Sequence, residues 1–253
     1  MSRPVTLITG ASAGLGAEFA RQCAKRGEPL ALAARRRERM EALGTQLGGE
    51  VHIFAVDLAK EGAAASLIAE LEGEGLSVGT LINNAGFGLG GKFADRPLDR
   101  LSEMIELNIR ALTELCHAVL PGMRARGAGA ILNVASTAAF QPGPNMAVYF
   151  ATKAFVLSFT EALHEELKPD GVKVSCLCPG PTRTEFGEVA GFGGNGLFDR
   201  TAMNAPEVVE AGIKGLEKNR AVVVPGLVNK IGATSTRFAP RSIVRKIAGA
   251  IKY

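Results

Sequence analysis

The chain has 253 residues, 47% of them hydrophobic and 21% charged, with 31 glycines. That profile fits one α/β domain with a sizeable core and excludes a disordered or fibrous chain. The net charge of +4 is uneven: residues 1–217 sum to −4, whereas residues 218–253 carry eight basic side chains and no acidic one.

The first apolar run, VTLITG (5–10), leads into TGASAGLG (9–16), where a helical pattern opens. Gly10, Gly14 and Gly16 lack a Cβ, so the chain can turn tightly and a ligand can approach its backbone. The free N–H groups and positive dipole end of the next helix suit a phosphate. Ser12 and Leu15 lie in the same loop. The spacing is GxxxGxG rather than GxGxxG.

The second run, LALAAR (30–35), ends in Ala34, where an NAD-binding protein places an acid for the ribose hydroxyls. Arg35, Arg36 and Arg37 follow instead. An arginine fork matches a 2′-phosphate. This predicts NADP(H) as the preferred cofactor and NAD(H) as the alternative, with Arg35 on the phosphate and Ser12 and Arg36 beside it. Arg37 and Arg39 read as the start of a solvated helix. The third run, VHIFAVDL (51–58), ends in Asp57 and Leu58. Asp57 either accepts a bond from an adenine amino group or caps the next helix.

The fourth run is TLINNAG (80–86). After it, Leu101, Ile105, Asn108, Leu112, Leu115 and Val119 recur at helical spacing. AILNVAS (130–136), VKVSCLCPG (172–180) and AVVVPG (221–226) complete seven runs. Most are continuously apolar, as in strands covered by helices on both faces. The alternation predicts a single-domain, Rossmann-type, doubly wound parallel sheet with helices on both faces. Ligands bind beyond the carboxyl ends of such strands, and here those ends are small, glycine-containing or polar.

Tyr149 and Lys153, in YFATK, stand one helical turn apart on the same face. The motif alone occurs on many surface helices. Its chemistry is specific, however. A free tyrosine has a pKa of about 10, a nearby ammonium favours its phenolate, and such a group can exchange a proton as hydride moves.

TGASAGLG, Asp57, NNAG (83–86), Asn108 in ELNIRA, Ser136 in NVAST, YFATK (149–153) and PGPTRT (179–184) occur together. In order and spacing this set resembles the short-chain dehydrogenase/reductase family over the chain up to about residue 226. The resemblance implies a general acid/base at Tyr149. It implies that Lys153 lowers the tyrosine pKa and bonds the nicotinamide ribose. Ser136 would hold the substrate oxygen, and Asn108 would position a water leading from Lys153 to solvent. Asn84, Ala85, Gly86, Pro179, Gly180, Thr182 and Thr184 would border the cofactor. One departure is Ala13, where many NADP-preferring members carry a basic residue. The family also implies a homodimer or homotetramer built through the helices of Asn108 and Tyr149.

The substrate is expected between 137–147, including Phe140, and a glycine-rich lid at 183–205 containing Phe186, Phe192 and Phe198. With no cation in the first segment, a neutral, fairly apolar ketone, aldehyde or alcohol is expected. The basic extension, 227–253, places Ile243, Val244, Ile247, Ala248 and Ile251 on one helical face. It either packs on the subunit or a neighbour, or meets an anionic membrane surface or an acyl-carrier substrate. Cys23, Cys116, Cys176 and Cys178 match neither zinc nor disulfide spacing. No metal site and no nucleic-acid partner are expected. No signal peptide and no apolar run of roughly 18 residues is present, so the expected location is cytoplasmic.

Overall fold

The computed structural model describes residues 2–189 and 202–250. Its strands are β1 (Arg3–Thr9), β2 (Leu30–Ala34), β3 (Val51–Ala55), β4 (Leu76–Asn83), β5 (Gly129–Val134), β6 (Val172–Leu177) and β7 (Val222–Val223). All pair in parallel, in the order β3-β2-β1-β4-β5-β6-β7. The chain winds outwards from β1 to β3 and then returns to β4. The β1–β4 gap is therefore the switch point at which the connections diverge and leave a crevice.

Helices cover both faces. Alternating residues of β1 show why: Leu7 faces α3 (Ala63–Gly73) and α5 (Leu112–Arg126), packing with Leu67, Leu71 and Leu115. Ile8 faces α1 (Gly14–Lys25) and belongs to the buried cluster that includes Phe19, Met40 from α2 (Arg37–Leu47) and Val208 from α8 (Ala205–Glu217). Successive side chains of a strand point to opposite faces, and here both faces are dry. All four cysteines are buried and free. Burial pushes the Cys116 thiol up to about 12, which keeps it protonated.

The helical run from Leu98 to Arg126 is one rod with a defect. Between α4 (Leu98–Ile105) and α5 lies a π-helical turn, Glu106–Ala111. Such turns concentrate at functional sites, and this one contains Asn108. The long helix α6 (Ala147–Glu166) buries both Tyr149 and Lys153.

After β7 the chain forms α9 (Leu227–Ser235) and α10 (Arg241–Ala250). The expected single apolar face of α10 is divided: Val244 and Ala248 are buried, while Ile243 and Ile247 are 49% and 61% exposed. Ile251 lies outside the described residues. Among the described residues no helix is long and apolar enough to cross a membrane, and no His/Cys/Asp/Glu group could hold a metal.

Candidate active site

A cavity of about 690 Å³ opens beyond the carboxyl ends of the strands. At its floor, β1 and β4 are locked together. The Thr9 hydroxyl accepts from the Asn84 and Ala85 amides, both at 3.0 Å, and Asn84 Nδ2 donates to Thr9 O at 2.9 Å. Gly10 has φ +66, and a Cβ there would lie 2.9 Å from Ala85 Cα. A Cβ on Gly16 would lie 2.2 Å from Gly10 O. Gly16 is therefore a packing glycine below the loop and does not line the cavity, unlike Gly10, Ser12, Gly14 and Leu15. Helix α1 starts from an extended Ala13 without a side-chain cap, so its first amides remain available to an anion.

Along the β2–β3 edge the lining continues through Ala34, Arg35, Arg36, Val56, Asp57 and Leu58. Arg36 Nε donates to Ser12 Oγ at 3.2 Å. Arg35 pairs with Glu103 at 3.5 Å. Asp57 lines the cavity, and its Oδ1 accepts from the Ala59 amide at 3.2 Å within a turn; it does not cap the next helix, which begins at Ala63 with Gly62 as its N-cap. Arg37 pairs with Glu41 on its own helix, as a solvated start does. Arg39, exposed in the first turn of the same helix, also reaches Glu185 across 146 positions.

At the opposite end, Ser136, Tyr149 and Lys153 converge on one wall. Ser136 also caps the short 3₁₀ turn Thr137–Phe140, accepting from the Ala138 amide at 3.1 Å, and its hydroxyl points to Pro179 O at 3.4 Å. Lys153 Nζ donates to Val134 O at 2.8 Å and lies 5.9 Å from the centre of the Tyr149 ring. Burial pushes Lys153 down to about 8, because a charged ammonium loses its hydration there. Burial pushes Tyr149 up to about 12, opposed by a hydrogen bond with Ser136. In the free protein the tyrosine is thus a protonated acid, and burial outweighs any help from the lysine.

Asn108 lies behind this wall and not on it. Its Oδ1 accepts from the Phe87 amide at 3.1 Å, and its Nδ2 donates to Phe87 O at 3.0 Å and Thr152 Oγ1 at 3.1 Å. Thr152 in turn donates to Tyr149 O at 2.7 Å. The side chain is spent on holding the Gly86–Phe87 backbone and α6 in register.

Pro179, Gly180, Thr182 and Thr184 border the cavity together with Asn84, Ala85 and Gly86. Phe186, which opens α7 (Phe186–Val189), places its ring 5.6 Å from that of Tyr149. Phe140 is a correction. At the end of its 3₁₀ turn it points away from the site into a second cavity of about 260 Å³ beside Val222 and Arg237. Phe192 and Phe198 lie outside the described residues. The sequence reading missed Phe87, Val228 and Asn229 and did not single out Gln141 and Glu185 within the two segments assigned to the substrate; all five line the site. Phe87 directly follows NNAG, and Val228 and Asn229 follow the end of the seventh run, so the strand-end rule was signal enough for them.

The donor set fits a dinucleotide with a 2′-phosphate: a glycine floor, an uncapped helix start, and two arginines at a strand end with no acid. Residues 4–191 match the family model described as short chain dehydrogenase. The chain belongs to the short-chain dehydrogenase family. It is accordingly an oxidoreductase acting on CH–OH groups. A sulfoacetaldehyde reductase of Chromohalobacter salexigens is 40% identical, covering 81% of this chain and 85% of that protein. An NADP-dependent 3-hydroxy acid dehydrogenase of Escherichia coli is 35% identical over 79% and 82% of the two chains. A short-chain dehydrogenase from Sphingobium yanoikuyae, solved with NADPH, is 34% identical. Its TM-score is 0.84, covering 99% of this chain and 96% of that one.

Proposed function

We propose that the protein interconverts a predominantly apolar ketone or aldehyde and the corresponding alcohol, using NADP(H). The observation that carries this reading is the shared cavity: Tyr149, Ser136 and Lys153 stand at one end, and Arg35 and Arg36 at the other. A relative that is NADP-dependent and a structural neighbour solved with NADPH support the cofactor.

NADPH, when bound, supplies the hydride for reduction, and NADP⁺ accepts it in the reverse direction. In reduction, the Ser136 hydroxyl holds the carbonyl oxygen and the protonated Tyr149 hydroxyl donates a proton to it. In oxidation, the tyrosine takes that proton from the alcohol. Lys153, held by Val134 O, supplies the positive charge that steadies the phenolate left behind. Asn108 acts through Phe87 and Thr152 by fixing the backbone on both sides of Tyr149. Ala138, Phe87, Phe150, Phe186 and Val228 give the substrate end an apolar lining, which suits a neutral substrate.

The protein is read as a cytoplasmic homo-oligomer. Exposed Leu98, Ile105 and Phe155 on α4 and α6 support that assembly, which size-exclusion chromatography with light scattering would measure. The function itself is tested by following NADPH and NADH oxidation with a panel of ketones and aldehydes. Turnover with NADPH well above that with NADH is expected. No turnover of any carbonyl compound, or equal use of both cofactors, would sink the corresponding part of the reading.

A further inference from the structure

Glu185 has no part in that chemistry, yet it stands at the arginine end of the cavity. Its carboxylate accepts from Arg36 Nη1 and Nη2 at 3.4 and 3.5 Å. It also accepts from Arg39 Nη1 at 2.9 and 3.1 Å. The neighbours of Glu185 reach both halves of the site. The Thr184 side chain lies 3.4 Å from where a Gly14 Cβ would sit, and the Phe186 ring packs on Tyr149.

We propose that Glu185 is a specificity-determining residue: it competes with the cofactor 2′-phosphate for Arg36, and so sets how strongly NADP(H) is preferred over NAD(H). The proposal rests on the reading of Arg35 and Arg36 as the 2′-phosphate ligands. A phosphate dianion and a carboxylate cannot share one guanidinium fork without repelling each other. Glu185 therefore yields Arg36 when NADP(H) binds, and Arg39 keeps the displaced carboxylate neutralised. NAD(H) lacks the phosphate and leaves the pair intact. The pair is suited to exchange: the side chains of Arg36 and Glu185 are 45% and 50% exposed, and such contacts are weak. Arg35 repeats the arrangement. Its partner Glu103 also pairs with Arg100, and so has a second arginine to fall back on.

Isothermal titration of the full chain with NADP⁺, NAD⁺ and 2′,5′-ADP tests the idea without turnover. Glu185→Gln is expected to tighten NADP⁺ and 2′,5′-ADP roughly two- to fivefold, the reach of an exposed ion pair, with NAD⁺ unchanged. Glu185→Ala should behave in the same way. Arg36→Ala should weaken NADP⁺ selectively and abolish the gain from Glu185→Gln in the double variant. If Glu185→Gln leaves NADP⁺ binding unchanged or weakens it while Arg36→Ala still weakens it, the competitor role is overturned and the phosphate site stands. If Arg36→Ala and Arg35→Ala weaken NADP⁺ and NAD⁺ equally, the phosphate site falls, and the competitor with it.

Discussion

The two ends of the cavity are built by different means. The floor under the phosphate loop is mostly close-packed backbone, Gly10 against Ala85 and Gly16 against the Gly10 carbonyl, pinned by the Asn84 amide and Thr9 hydroxyl side chains. The substrate end is made of side chains from four separate segments, at Phe87 and around 138–150, 182–186 and 228–229. Ion pairs that are half exposed tether the segment around 182–186. A Cβ on Gly10 or Gly16 would lie 2.9 or 2.2 Å from backbone atoms, so this floor admits few substitutions. A side-chain wall can be altered residue by residue without disturbing the sheet, and that is where substrate choice can vary.

The largest effect expected is at Tyr149, in the substrate end. Tyr149→Phe removes the proton donor and retains the ring that packs on Phe186. We expect kcat to fall roughly 10²- to 10⁴-fold, the range for a general acid, with NADPH binding kept within twofold. Stopped-flow turnover beside titration of NADPH would show it. Loss of NADPH binding would mean that the ring is structural and that the two ends are not separable.

The next effect tests the floor. Gly16→Ala places a Cβ 2.2 Å from a backbone oxygen that cannot move aside. It should cost about 1–3 kcal/mol as overpacking and should weaken NADPH. Gly27→Ala is the control: φ there is +74 and nothing lies within 4 Å of the added carbon, so only backbone strain of about 1 kcal/mol is expected. Equal melting temperatures for the two variants would show that the floor is looser than its distances imply.

Burial of Lys153 gives a third test, read from pH. Its pKa is about 8 folded against 10.5 as a free side chain. Below pH 8 the folded state carries a buried charge. Between about pH 8 and 10.5 the unfolded chain binds the proton and the folded chain does not, so stability rises with pH. The gain is at most roughly 3 kcal/mol. Tyr149 opposes it above pH 10, since its folded pKa is raised and its protonated form must be given up. The buried thiols of Cys23, Cys116 and Cys178, each raised from 9.0, oppose it in the same way from about pH 9, so the clean window is pH 8–9. Melting temperatures of the wild type should rise there relative to Lys153→Met. Parallel curves would show that Lys153 is solvated after all.

The same contrast explains what the sequence could reveal. Strand-ends, the glycine loop and the Tyr149–Lys153 spacing are local patterns. All seven apolar runs became strands, within a few residues at either end. The π turn carried no local mark; it contains Asn108, which bonds to Phe87 and Thr152 far along the chain. Glu185 was invisible for the same reason: its partners lie 146 and 149 positions away. Phe140 was misplaced because a one-turn 3₁₀ segment fixes which way its last side chain points, and periodicity cannot resolve one turn.

That misplacement supplies the smallest and most discriminating test of the substrate wall. Phe186 packs on Tyr149 and lines the site, whereas Phe140 faces Val222 and Arg237 in the second cavity. Truncating Phe186 removes apolar area from the substrate's surroundings, so Phe186→Ala should raise KM for a bulky apolar ketone several-fold, with NADPH affinity held. Phe140→Ala should lower the melting temperature by loosening its contacts with the core, while leaving KM within twofold. Both residues are phenylalanines in segments that the sequence assigns to substrate, so hydrophobicity alone predicts equal effects. Only the direction of each side chain distinguishes them. A KM that responds to Phe140 and not to Phe186 would reverse the assignment of the wall.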